Sequence, residues 1–188
     1  WEALRLYQVA ACLGVTLEDI HAHFREKEEL VDAWFDRADA ALLREGARPE
    51  VMALSPRARL KSLLLSWFQA LAPHRRVTRQ MIAGKFELGH VHYQVAGLLR
   101  VSRTVQWWRE AAGREAVLPW RALEETGLTT IYLAAFFFWL RDDSENAART
   151  DAWLERLLER AEPCARWLPA GPARPSVNTG TINHSHSP

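Results

Sequence analysis

Apolar positions along this chain recur every three to four residues, the period of helices with one buried face. In "RLYQVAACLG", Leu6, Val9, Ala10 and Leu13 share a face, and Gly14 is the residue type that closes a helix in the left-handed region. Thr16 is a natural N-cap for a short helix over Leu17 to Phe24. From about Glu26 a longer helix carries Leu30, Val31, Trp34, Phe35, Ala38, Ala41 and Leu42 as one stripe and stops at Gly46. "ARPEVMALSP" reads as a linker, with Ser55 as cap and Pro56 at the first helical position. Beyond it "RARLKSLLLSWFQALA" is amphipathic up to Pro73, and a shorter helix follows around Val77 to Ala83. The next runs from roughly His92 to Ala112, before Gly113. Pro119 opens the most hydrophobic helix, to about Arg141. Asp143 or Ser144 caps a last helix to about Ala165, with Asp142 helping. Alternating runs bounded by tight-turn dipeptides are nearly absent, so the fold class is all-α.

Composition adds a core, a tail and a charge asymmetry. Apolar residues are 48% of the 188, enough for a sizeable interior. "PAGPARPSVNTGTINHSHSP" has the make-up of a flexible tail, which divides the chain into 1–46, 47–168 and 169–188. Net charge is +1, but residues 1–46 carry five basic residues against ten acidic ones. Residues 55–122 carry twelve basic residues against Glu87, Glu110 and Glu115. A basic middle of this kind suits anionic lipid headgroups. "IYLAAFFFWL" is about half of what a membrane span needs. No signal peptide opens the chain, and Cys12 and Cys164 lack metal spacing, which leads to the expectation of a reducing, cytoplasmic setting.

Catalytic signatures are missing from the sequence. It holds no nucleophile elbow, HExxH, phosphate loop or CxxC, so the expectation is a non-enzyme without cofactor or metal. His90 and His92 flank a valine without a cysteine or acid to complete a metal set, and His184 and His186 lie in the tail. Glu124-Glu125 and Asp142-Asp143 read as helix-terminus charges.

Two short helices joined by Gly14-Val15-Thr16 describe a helix-turn-helix. Val9-Ala10, Gly14-Val15, Ile20, His23-Phe24, Lys27 and Leu30 stand at the spacing of one family. Over residues 4 to 45 the chain resembles the DNA-binding domain of TetR-type regulators, whose pattern runs V-A-x-x-x-G-V-S/T, a small residue, L-Y-x-H-F and K-x-x-L. The resemblance implies an all-α homodimer of about nine helices, joined through its last two. It also implies a first helix upstream of Trp1, and a C-terminal bundle that binds a small effector. Carried over residue by residue, the DNA face is Thr16, Leu17, Glu18, Asp19, His21, His23 and Lys27. Lys27 is the expected phosphate contact and His23 is expected to be partly buried. Glu18, Asp19 and His21 depart from the pattern, where small, hydroxylated and tyrosine residues are usual. Carboxylates repel phosphates and weaken the counterion-release contribution, although an acid can accept from cytosine N4.

The bundle is rich in large rings. Trp67, Met81, Phe86, Trp107, Trp108, Tyr132 and Phe136 are the candidate lining of an apolar or lipid-like ligand site between helices. Phe136-Phe137-Phe138-Trp139 point four ways around one helix, which therefore needs cover on nearly all sides. "LTTIYLAAFFFWLRDDSENAARTDAWLERLL" also resembles the end of the ubiquinone-biosynthesis lipid-binding proteins, through Leu128, Ile131-Tyr132, Asp143-Ser144, Thr150 and Leu154. That resemblance implies the same fold without DNA reading and a cavity for an isoprenoid or acyl chain. Two functions follow: an effector-controlled transcriptional regulator, or a lipid-binding accessory protein that retains the module's shape.

Overall fold

The computed structural model describes residues 1, 3–85 and 91–166, without the side chains of 84, 85, 91–96, 98 and 164–166. Phe86, His90 and the segment 169–188 lie outside the described residues, as do the side chains of His92 and Cys164. Among the described residues every regular element is helical. They are α1 (Leu6–Leu13), α2 (Leu17–His23), α3 (Lys27–Gly46), α4 (Pro49–Met52), α5 (Pro56–Leu71), α6 (Arg75–Lys85), α7 (Val91–Ala111), α8 (Trp120–Trp139) and α9 (Ala148–Arg166). Two 3₁₀ turns, Ala72–His74 and Glu145–Ala147, precede α6 and α9.

The elements fall close to where periodicity puts them, with two instructive differences. The linker "ARPEVMALSP" contains a helical turn, α4, begun by Pro49, whose fixed φ suits that position. Gly46 does more than end α3. A Cβ there would meet the Ala111 Cβ at 3.1 Å and the Leu63 Cδ2 at 3.2 Å, so glycine lets α3 cross α5 and α7 closely.

The interior is built on α3, which packs chiefly against α5 and α7, while α8 packs on α7 and α9. Val31, Phe35, Ala38 and Leu42 are the buried stripe of α3; Leu60, Leu63, Leu64, Trp67, Phe68 and Leu71 are that of α5. Fully burying one such side chain is worth about 1.5–3 kcal/mol, so this core holds the bundle together. Ion pairs join the helices as well. Buried Arg109 on α7 donates to buried Glu124 on α8 (2.9 Å) and to the Ala116 carbonyl (2.9 Å). Lys61 on α5 meets Asp151 (3.0 Å) and Glu155 (3.0 Å) on α9, and Arg57 meets Glu155 and Glu162.

Many basic residues of the middle segment find acceptors inside the fold. Arg59 donates to the Met52, Leu54 and Ala112 carbonyls. Arg75 and Arg79 donate to the Asp142 and Leu140 carbonyls at the end of α8. Arg100 and Arg109 are buried. The positive charges of this segment mainly satisfy the fold's own acceptors.

Candidate DNA-reading module and ligand-binding bundle

The turn between α1 and α2 is closed by backbone alone. Gly14 sits at φ 68°, where a side chain is strained; its N–H donates to the Ala11 carbonyl (3.3 Å) and Val15 N–H to the Ala10 carbonyl (3.0 Å). That is the paired bonding that satisfies a helix's last carbonyls. Two residues later Thr16 starts α2 with a reciprocal cap. The Asp19 N–H donates to Thr16 Oγ1 (3.1 Å), while Thr16 N–H (2.8 Å) and Thr16 Oγ1 (2.7 Å) donate to Asp19 Oδ2. The backbone and hydroxyl of Thr16 hold the Asp19 carboxyl below its ordinary value, so it stays ionised while it caps.

This geometry separates the two acids that depart from the family pattern. Asp19 is an internal part of the helix start, its oxygen turned to Thr16. Glu18 stands beside it, exposed. Leu17, His21 and His23 are exposed too, and α2 has no buried residue. The expectation of a partly buried His23 is therefore corrected; Phe24, the next residue, is the one tucked in. Lys27, half-buried, donates from Nζ to the Trp1 carbonyl (2.7 Å) and lies 4.6 Å from the centre of the Trp1 ring.

The bundle candidates occupy three different settings. Trp67, Tyr132 and Phe136 come together: the Trp67 ring centre is 5.4 Å from Tyr132 and 5.7 Å from Phe136, and Phe35 of α3 joins at 5.8 Å from Trp67. Trp108 is also buried, but it donates from Nε1 to the Leu60 carbonyl (2.9 Å) between α7 and α5. Trp107, one residue earlier, is 46% exposed. Met81 lines an apolar surface groove with Trp1, Leu4, Val9, Leu30, Trp34 and Val77, between α1, α3 and α6.

Polar residues that the sequence did not single out lie at the centre of the aromatic group. Buried Asp39 of α3 accepts from Trp67 Nε1 (2.8 Å), Thr104 Oγ1 (3.0 Å) and Arg100 Nη2 (2.8 Å). Arg100 also donates from Nη1 to Asp36, one turn earlier on α3. Burial pushes the Asp39 carboxyl up, against the pull of Arg100, Trp67 and Thr104. Burial, and the Asp39 charge after it, raise the Tyr132 hydroxyl as well. A polar residue inside the stripe of α3 was the available signal: Asp39 falls between Ala38 and Leu42 on the buried side.

The hairpin of α8 and α9 is fastened by one carboxylate. Asp142 Oδ1 accepts from Ser144 N–H (2.9 Å) and Oγ (2.6 Å), and Oδ2 from Thr150 N–H (2.7 Å) and Oγ1 (2.6 Å). Burial alone would raise its pKa, but those bonds prevail and hold it at about 2. Of the residues expected to cap α9, Asp143 is exposed, and Ser144 accepts from Arg149 N–H (3.1 Å). On the outer side of the hairpin Phe137, Phe138 and Trp153 are only half-buried, with Leu123 exposed beyond them. Among the described residues no group of three acids, histidines or cysteines is placed to hold a metal, and no helix is long and apolar enough to cross a membrane.

Comparison with known proteins agrees with this architecture. The COQ9 family model matches residues 126–164, most of α8 and nearly all of α9. No curated protein matches the chain. Among solved structures, a TetR transcriptional regulator from Rhodococcus sp. RHA1 is 18% identical over 85% of this chain and 84% of its own, with a TM-score of 0.62, and shares the fold. A TetR transcriptional regulator from Nitrosomonas europaea is 51% identical over 86% of this chain and 88% of its own, with a TM-score of 0.77. With half the residues identical along nearly the whole length, and a capped helix without a buried residue following the Gly14 turn, the chain belongs to the TetR family of transcriptional regulators.

Proposed function

We propose that this regulator reads duplex DNA with α2, as half of a homodimer joined through α8 and α9, and that an apolar ligand in the bundle controls the reading. The observation that carries the proposal is α2 itself: a short helix capped from within, with no buried residue, presenting Leu17, Glu18, His21 and His23 outward. An exposed helix after a glycine turn is the form that enters a major groove. The half-covered Phe137, Phe138 and Trp153 support a partner at α8 and α9, because isolated chains rarely leave such a surface open. The meeting of Phe35, Trp67, Tyr132 and Phe136 around polar residues supports a ligand site between α3, α5, α7 and α8. Ligand there shifts α3, which is continuous from the reading module into the core, and so favours one module spacing over another.

The test is a titration of the full-length protein with fluorescent duplexes from its own upstream region, across a salt series. Nanomolar binding that selects among sequences and falls steeply with salt is the expected result. Affinity equal to that for random duplex at low salt would overturn it.

A second reading keeps the fold and drops the DNA. Its support is the COQ9 match over 126–164 together with the acidic excess of residues 1–46. On that reading the protein handles an isoprenoid or acyl chain, and DNA binding appears only after Glu18 and its neighbours are replaced by neutral and basic residues.

A further inference from the structure

A cleft apart from the aromatic centre lies where α5 ends and α6 begins. Its volume is about 290 Å³, at the small end of ligand sites. Leu65, Phe68 and Gln69 reach it from one face of α5, and Trp139 reaches it from the end of α8. Phe68 and Trp139, both buried, stack at 5.4 Å and form an apolar floor. Arg75, the first residue of α6, stands over the Trp139 ring at 4.9 Å. Gln69 and Asn146 make an exposed rim. Asn146 and the next residue, Ala147, both hold left-handed backbone, at φ 51° and 55°, strain of the kind that gathers at binding sites.

We infer that this cleft binds a small carboxylate with an apolar, ring-sized body, the acid on Arg75 and the ring against Phe68 and Trp139. Charge selects the acid. Arg75 and Arg79 donate to the backbone carbonyls of Asp142 and Leu140, and neither guanidinium meets a carboxylate among the described residues. The Asp142 carboxylate is taken up on both oxygens by Ser144 and Thr150. The first turn of α6 holds no acid, although a helix start favours negative charge. With Nη1 of Arg75 engaged, Nη2 is the donor that remains for a ligand. A cation is repelled there, a neutral ring gives Arg75 no counter-charge, and a bare anion makes no use of the floor. The cleft and the aromatic centre are separate, so either fills without the other. The occupant sits against α6, which joins the bundle to the module: Thr78 accepts from Trp34 Nε1 of α3 (2.9 Å), and Met81 shares a groove with Leu4 and Val9.

The experiment titrates the isotope-labelled full-length protein, followed by NMR, with benzoate, benzamide and acetate at constant ionic strength. The side-chain N–H signals of Trp139, Gln69 and Asn146 are the local reporters. Benzoate is expected to move all three. It is expected to bind at least about tenfold tighter than benzamide, which lacks the charge, and acetate, which lacks the ring; a charge-assisted hydrogen bond carries such a factor. Arg75→Gln is expected to weaken benzoate at least about tenfold and leave benzamide within about twofold, a split that loss of folding does not give. Gln69→Glu changes an exposed side chain without a partner, so the fold is not at stake. Its new negative charge at the rim is expected to weaken benzoate about threefold or more and leave benzamide unchanged. The inference fails if benzoate leaves the reporters unmoved, or if benzamide or acetate binds as tightly. It fails equally if either variant binds benzoate as the wild type does.

Discussion

The reading module and the bundle are held by opposite kinds of interaction. In α1 and α2 only Ala10 is buried, and the helices are defined by bonds between residues three to five apart: Gly14 to Ala11, Val15 to Ala10, Thr16 with Asp19. In the bundle the decisive contacts join residues far apart in sequence, such as Trp67 with Asp39, Arg100 with Asp36 and Trp108 with the Leu60 carbonyl. A region held by local caps keeps its shape whatever its outer face carries. A region held by long-range packing resists change but passes on any displacement it suffers. For a regulator this is a useful division: the exposed module is free to vary in surface chemistry, while the packed bundle passes a local displacement on to its neighbours.

The contrast is broken most severely in the core. Trp67→Ala removes a fully buried ring and one donor to Asp39, so a loss of about 3–5 kcal/mol is expected in urea unfolding. A loss under about 1 kcal/mol would mean that the aromatic group is not the keystone of the bundle.

Asp142 comes next. Its carboxyl is held at about 2 in the folded protein against about 3.9 unfolded, so its stabilisation is complete above pH 4. It is lost as the pH falls through about 2. Asp142→Asn is expected to cost about 2 kcal/mol at pH 7, since hydrogen bonds to a charged group are worth about 1.5–3 kcal/mol. The variant also loses part of the wild type's fall in urea midpoint between pH 4 and pH 2. An unchanged midpoint–pH curve would assign the acid dependence to other carboxylates.

Thr16→Ala sharpens the comparison from the other side. Loss of the cap is expected to cost about 1 kcal/mol, confined to α2. Amide exchange should speed up in α2 while the bundle amides stay as they are; faster exchange throughout would show that the two regions are not separable.

The smallest change is Glu18→Gln, on an exposed side chain. Stability should stay within about 0.5 kcal/mol. Affinity for a random duplex should rise about two- to fivefold at low salt, the range open to one surface charge. Weaker binding to the selected operator alone would instead give Glu18 a base to read.

Local signals in the sequence carried the module almost completely. Gly14, Thr16 and the apolar Val9, Ala10 and Leu30 each specify a turn, a cap or a buried face by rules that act within a few residues, and the helices lie where those rules put them. Even so, Asp19 read as a hindrance on the DNA face, because the choice between capping and facing outward depends on a side-chain orientation that spacing does not encode. The bundle was less legible. Trp107 and Trp108 look alike in sequence, yet one is exposed and the other buried, since a 100° rotation per residue separates neighbours on a helix. The basic excess of 55–122 suggested a surface, but its arginines found carbonyls and carboxylates from distant segments. Asp39 lies within an otherwise apolar stripe, and its importance emerged only when α5 and α7 supplied its partners.

Gly46 has a mechanical consequence. Where it crosses Ala111 and Leu63 at about backbone contact, α3 has no room to slide, so the close crossing works as a fulcrum. The helix extends from there to Lys27 over nineteen further residues, an arm of about 28 Å at about 1.5 Å per residue. By that geometry a tilt of about 5° at the fulcrum carries the Lys27 end about 2.5 Å sideways, a useful fraction of the rise between neighbouring base pairs. A side chain at position 46 would wedge the fulcrum open and shorten the gearing between the two ends of the protein.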